Sequence, residues 1–200
     1  MDILLVISHP DDDAIFAGAL QRRLAAHAWI VVCLTATPGT LRGRELLRWQ
    51  SELGTRAERV HFLGEVDEPS DYRSGRSSIA PESVTKRLSA LALAPGLVVT
   101  HNAEGEYGHP HHALVHSAVA RVYPATPRLE FGYGRDGVEW EIPCVSKWPS
   151  VVRCYPSQQR VIEKLRTESE TFCWSASTPP DVRRSVAWRL GWDWSPSRDV

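Results

Sequence analysis

The sequence predicts an α/β fold: a Rossmann-like, mostly parallel sheet with helices on both faces, in a single domain spanning residues 1–200. Three observations carry this expectation. Apolar, partly β-branched runs recur at Ile3–Ile7, Trp29–Thr35, Val60–Leu63 and Leu97–Thr100, as expected of strands buried on both faces. Stretches of helical spacing alternate with them, which implies parallel strands joined by crossover helices. Two of the runs end in polar clusters rich in His and carboxylates, and in open α/β sheets ligands bind beyond the carboxyl ends of strands.

Taken in order, the first strand leads into a helix from about Asp12 to Ala28, with Ile15, Ala19, Leu20 and Leu24 near one face. After the strand from Trp29 to Thr35, Pro38 and Gly39 break the chain. A helix from about Thr40 to Gly54 follows. Val60–Leu63 is a short third strand. Residues 64–80 carry Gly, Pro, Ser and charges with little periodicity and are expected to be a loop. Pro81 starts a helix that runs to about Ala92, and Pro95-Gly96 introduces the strand Leu97–Thr100. Residues His112–Val122 have helical spacing. These elements, over residues 1–125, form the expected metal-binding core. Residues 126–200 are less regular, with strands near Leu129–Tyr133 and Val151–Tyr155, a helix near Ser157–Glu170 and a Trp-rich tail.

Composition narrows the function. The formal net charge of −1 leaves no basic excess to neutralise phosphates, which argues against a nucleic-acid binder. The four cysteines contain no CxxC pair, so neither a zinc ribbon nor a disulfide framework is suggested. No basic region precedes the first apolar run, which is too short for a signal core or a membrane span. A soluble cytoplasmic protein is expected. Five of the eight tryptophans lie beyond residue 145. Trp140, Trp148, Trp174, Trp188, Trp192 and Trp194 could stack on sugar rings, but core anchoring or a homo-oligomer interface explains most of them better. WRLGWDW reads as a tail docked on its own domain or on a neighbouring subunit.

The first polar cluster is Ser8-His9-Pro10-Asp11-Asp12-Asp13. A His and adjacent carboxylates crowded at a strand end repel one another unless something neutralises them, and a divalent metal is the simplest such group. His9 and Asp12, three apart across a strand-to-helix turn, can face one point. Hydrolytic zinc sites take three protein ligands from His and carboxylate, so the third ligand should come from another strand end. The second cluster, HNAEGEYGHPHHALVH, offers His101, His109, His111, His112 and His116. Without this second cluster, Asp12 could simply cap the first helix.

HPDDD together with GEYGHPHH resembles the PIG-L/LmbE-like family of zinc-dependent N-acetylglucosaminyl deacetylases. That family carries His-Pro-Asp-Asp-Glu after its first strand and a Gly-His-Pro-Asp-His type element later. The resemblance also covers Arg42 to Asp67, about the first six-tenths of the chain. Two departures stand out: Asp13 replaces the usual Glu, and His111 replaces a frequent Asp. The resemblance implies His112 as the third metal ligand beside His9 and Asp12, and leaves His116 structural. It places Asp11 at the general base, taking a proton from metal-activated water. It places His109 at the residue that stabilises the tetrahedral intermediate or protonates the leaving amine, and Tyr107 at a donor to the oxyanion. With His111 in place of Asp, either Glu104 or Glu106 supports His109, or His109 has a lower pKa than in relatives. Arg42 and Asp67 fall where relatives hold the sugar, although a charged, solvated helix face also explains Arg42.

The expected function is removal of an N-acyl group, with acetyl the expected acyl, from an amino sugar or sugar-bearing small molecule by zinc-activated water. Iron or another divalent ion can take the place of Zn2+ at a His₂Asp site. The nearest alternative is an amidase on a non-sugar substrate. A rival of another class is a receiver-like phosphoacceptor module, which would need a phosphorylatable Asp ending the third strand and a later Lys.

Overall fold

The computed structural model describes residues 1–135 and 138–192. Five strands are mutually parallel: β1 (Asp2–Ile7), β2 (Ala28–Thr35), β3 (Val60–Glu65), β4 (Leu97–Thr100) and β5 (Arg128–Phe131). Two more, β6 (Trp140–Pro143) and β7 (Ser169–Trp174), complete a sheet ordered β3-β2-β1-β4-β5-β7-β6, with β7 antiparallel to both of its neighbours. The strand order reverses between β1 and β4, the switch point at which doubly wound sheets receive ligands. The mostly parallel α/β architecture predicted from the apolar runs is therefore observed.

Both faces of the sheet are covered, which is why the first strands read as continuous apolar runs. Ile3, Leu5 and Ile7 pack into one core with Leu46 and Trp49 of α3 (Leu41–Glu52). Leu4 and Val6 pack into another with Val84 and Leu88 of α5 (Pro81–Ala90) and Val115 and Val119 of α6 (Pro110–Val122).

Four expectations from the sequence need correction. The segment read as one helix from Asp12 to Ala28 is two short helices, α1 (Asp12–Phe16) and α2 (Gly18–Arg23), broken at Ala17. The break is held from outside. Glu170 on β7 accepts from the N–H groups of Ala19 (2.7 Å) and Leu20 (2.9 Å), and Lys147 donates to the Ile15 carbonyl (2.8 Å) and to Glu170. A carboxylate thus meets the exposed donors at the start of α2, and an ammonium meets a carbonyl of α1, as helix ends require. Local periodicity cannot reveal partners more than 130 residues away.

The expected loop at 64–80 contains α4 (Pro69–Ser74), started by Pro69 and stopped by Gly75 in the left-handed conformation (φ +66°). The expected strand at Val151–Tyr155 is instead α7 (Trp148–Cys154), with Pro149 in its first turn outweighing the β-branched pair Val151-Val152. The expected helix at 157–170 is a 3-10 turn over 156–158 followed by α8 (Gln159–Leu165); β7 then begins at Ser169. In the tail, Trp192 packs edge-on against Trp140, while Trp188 on α9 (Pro180–Arg189) is 81% exposed. Trp194 lies outside the described residues.

The Lys147–Glu170 pair is almost fully buried. Lys147→Met would leave an uncompensated carboxylate inside the protein, and breaking such a pair costs about 3–5 kcal/mol. Urea unfolding should register that loss, and adding Glu170→Gln should recover part of it. A loss under about 1 kcal/mol would mean that the pair does not hold the helix break.

Candidate functional site

The site is assembled from the segments that follow β1, β2, β3 and β4. The first begins at His9, and Asp11 and Asp12 open α1. All three consecutive carboxylates, Asp11, Asp12 and Asp13, are buried, and each meets different chemistry. Asp13 accepts from the Tyr155 hydroxyl (2.8 Å), Gln50 Nε2 (2.6 Å) and the Ala14 N–H (2.7 Å). Burial nonetheless pushes its pKa up to about 8. Asp11 Oδ1 accepts from Arg42 (2.8 Å), whose other terminal nitrogen donates to Asp67 Oδ2 (2.9 Å). Burial raises the Asp11 pKa above the ordinary carboxylate range, and the Arg42 charge offsets part of that rise.

Asp12 faces imidazoles. His9 Nδ1 lies 3.4 Å from Asp12 Oδ2, His112 Nε2 lies 3.5 Å from Asp12 Oδ1, and the two ring nitrogens are 3.3 Å apart. Ligands about 2.0–2.1 Å from a tetrahedral ion stand roughly 3.3–3.4 Å from one another. The two contacts of Asp12 end on different oxygens, so the carboxylate faces both imidazoles, and these three residues could hold a divalent ion; the trios His9–His109–His112, His9–Asp67–His111 and Asp12–His101–His112 also bring one ligand atom each within 4.8 Å of one another. Burial opposes the charge on Asp12, but His112 and His9 outweigh it and hold its pKa well below the usual range. Burial likewise disfavours a charged His9, yet Asp12 and Asp67 push it up to about 9.

The loop after β4 braces the other side. Asn102 N–H donates to Glu106 Oε1 (2.9 Å) and Glu106 N–H returns a bond to Asn102 Oδ1 (3.1 Å). Gly105 in this loop has φ +71°, and a Cβ there would lie 2.5 Å from the His109 carbonyl oxygen, so no other residue fits. Glu106 Oε2 meets both His101 Nδ1 (2.8 Å) and His112 Nδ1 (2.5 Å). With its Nδ1 proton on Glu106, His112 turns a bare Nε2 toward Asp12, the arrangement usual for a metal-binding imidazole. His101 Nε2 accepts from the Ser8 N–H (3.0 Å) and also lies 3.3 Å from Asp12 Oδ2, so it borders the same cluster.

His109 caps α6, its Nδ1 accepting from the His111 N–H (3.3 Å). Burial, then His9 and His112, lower its pKa to about 3. Tyr72 on α4 stacks on the His109 ring (centroids 5.1 Å apart), and Tyr107 stands edge-on to the His109 and His112 rings. Burial raises the Tyr107 pKa, so its hydroxyl keeps its proton.

The structure therefore gathers His9, Asp11, Asp12, Arg42, Asp67, Tyr107, His109 and His112 into one region. Of the two alternatives expected for His109, it speaks against support by a carboxylate, and the pKa of His109 is lowered. Glu106 is committed to His101 and His112, and Glu104 faces Arg135 (3.5 Å), so neither carboxylate assists it. His116 bonds Glu130 (3.1 Å), consistent with a structural role. The sequence reading missed the bracing by Glu106 and the whole of Asp71, which sits in the segment taken for a loop. Among the described tryptophans, Trp174 and Trp192 each pack on Trp140 and Trp148 is buried. No Lys follows β4 before the His cluster, so nothing favours a phosphoacceptor module. No helix among the described residues is long and apolar enough to cross a membrane.

Known proteins resemble this chain in sequence and in fold. A 1D-myo-inositol 2-acetamido-2-deoxy-alpha-D-glucopyranoside deacetylase from Kineococcus radiotolerans is 32% identical over 225 residues, covering 92% of this chain and 60% of that protein. The chain thus spans about 60% of that relative's length. N,N'-diacetylchitobiose deacetylase from Pyrococcus horikoshii superposes with a TM-score of 0.64 at 15% identity, covering 88% of this chain and 84% of the other. The 4-carboxy-2-hydroxymuconate hydratase of Pseudomonas putida KT2440 superposes with a TM-score of 0.59 at 16% identity, covering 88% and 95%. These two likenesses establish the fold, and the hydratase among them illustrates that the fold alone does not fix a reaction. The family model for PIG-L, described as GlcNAc-PI de-N-acetylase, matches residues 4–123. That span runs from β1 to the end of α6 and includes every His and carboxylate of the cluster. By this match over more than half of its length, the chain belongs to the PIG-L family.

Proposed function

We propose that the protein is a metal-dependent N-deacetylase that releases acetate from an N-acetylated amino sugar, with zinc as the metal. The observation that carries this reading is the meeting of His9 Nδ1 and His112 Nε2, 3.3 Å apart, over the two oxygens of Asp12 at 3.4 and 3.5 Å, beside the buried carboxylate of Asp11. Family membership and the activity named for the Kineococcus relative favour an amide of an amino sugar as substrate. Bound there, a divalent ion lowers the pKa of a water and polarises a carbonyl oxygen.

The protein's own groups divide the remaining work. Arg42 occupies Asp11 Oδ1, which leaves Oδ2 to take the proton lost by the attacking water. Asp11 is then the proton's holding site until the departing amine needs it. His109 is neutral near pH 7, and its Nδ1 is engaged by the His111 N–H. It therefore presents Nε2–H as a donor to the developing oxyanion, together with the Tyr107 hydroxyl. Asp67 and Arg42, at 33% and 29% side-chain exposure, remain within reach of a ligand and can grip sugar hydroxyls.

Metal analysis of purified variants tests the ligand set. Replacing His9, Asp12 or His112 with Ala should strip most of the bound zinc, whereas His116→Ala should keep it. Full occupancy in His112→Ala would sink the assignment. Acetate release from N-acetylglucosaminides by the zinc-loaded protein tests the activity, and Asp11→Asn should lower kcat by about 10²–10⁴-fold with the metal retained.

The pH profile separates the role of Arg42. Its positive charge favours ionised Asp11, so Arg42→Met should raise the Asp11 pKa further. The acid limb of kcat/KM should then move to higher pH, because the base would be protonated over a wider range. A limb that stays in place would disconnect Arg42 from the base.

A further inference from the structure

His111 is a departure from the family pattern, and the reaction outlined above does not use its side chain. It is fully buried, and its ring is held at both edges. Nε2 lies 2.9 Å from Asp71 Oδ2, and Nδ1 lies 3.3 Å from His9 Nε2. Asp71 Oδ2 also takes the Ser78 backbone N–H and the Ser78 hydroxyl, both at 2.7 Å. A backbone N–H can only donate, so this oxygen is an acceptor. His111 must then carry its proton on Nε2, which leaves Nδ1 as a bare acceptor when the ring is neutral. A bare Nδ1 facing His9 takes the His9 Nε2 proton, and in the neutral His9 that metal binding requires, the Nδ1 lone pair is then left pointing at Asp12 and His112.

We propose that Ser78, Asp71 and His111 form a relay of hydrogen bonds that fixes the tautomer and orientation of His9 for metal binding. His111 and Asp71 are thus positioning residues. The inference rests on the reading of His9 as a metal ligand. It also accounts for the pairing of the site, since Glu106 fixes the tautomer of His112 in the same way from the opposite side. Asp67 Oδ1 is a second acceptor within reach of His9 Nε2, at 3.5 Å, and the longer of the two contacts. An Asn or Asp side chain places its Oδ1 where a His places Nδ1, since both atoms are bonded to Cγ. An acceptor for His9 can therefore exist at position 111 without an imidazole, although it could not reach Asp71.

The test measures zinc affinity by competition with a chromophoric chelator for the wild type, His111→Ala, His111→Asn and Asp67→Ala, with His116→Ala as control. Losing the partner of a metal-bound His typically costs 10–100-fold in metal affinity. His111→Ala should show a loss of that size, and His111→Asn should recover most of it. Imidazole ¹⁵N spectra of the zinc-loaded wild type should show His9 and His111 both protonated at Nε2 only. Wild type that takes up no zinc would defeat the functional reading itself. Wild type that binds zinc while His111→Ala binds it equally well would overturn the relay and leave that reading standing. The relay would also fail if Asp67→Ala alone lost affinity, if His111 carried its proton on Nδ1, or if His111→Ala lost a second equivalent of zinc, which would make His111 a ligand.

Discussion

The structure depends on keeping three consecutive carboxylates buried at the end of β1. Asp11, Asp12 and Asp13 cannot share one neutralising group, because successive residues in the first turn of a helix point in different directions. Each receives its own solution. A guanidinium meets Asp11, imidazoles meet Asp12, and neutral donors from Gln50 and Tyr155 meet Asp13. These partners come from the turn after β1, α3, α6 and the segment after α7. Satisfying the first turn therefore recruits most of the molecule. It also gives three adjacent residues three different electrostatic settings, which is how one sequence motif can supply both a base and a ligand.

The C-terminal third contributes through this same constraint. Tyr155 reaches Asp13, Ser157 donates twice to Glu45 on α3, and Glu170 with Lys147 holds the break between α1 and α2. Tyr155, Ser157, Glu170 and Lys147 lie outside the span matched by the family model, yet they set the floor on which the first turn rests. The three strands β5, β7 and β6 continue the sheet into this region.

Much of the fold was legible because the strands are buried on both faces and read as unbroken apolar runs. The site was legible where ligands follow strands directly, as with His9 and Asp12. What failed shares a cause: the deciding interaction is distant in sequence. Nothing near Ala17 announces a helix break, since Glu170 and Lys147 impose it. The pair Val151-Val152 suggests a strand until Pro149 and packing at Val151 and Cys154 make it a helix. Glu106 looked available to His109, but the folded loop delivers its carboxylate to His112 and His101 instead. Asp71 was hidden because the short helix that presents it has almost no apolar periodicity.

Arg42 joins Asp11 to Asp67 through its two terminal nitrogens, and a Lys ammonium could not span both in that geometry. If the outer carboxylate meets the substrate and the inner one handles the proton, recognition and turnover share a single cation. Natural variation at position 42 is then trapped, because any gain in selectivity there disturbs the chemistry as well. Diversification has easier ground at exposed apolar neighbours such as Leu41, Val66 and Tyr72, whose side chains carry no part of the charge balance. A lineage with this architecture would be expected to change what it recognises by altering its rim while holding its arginine constant.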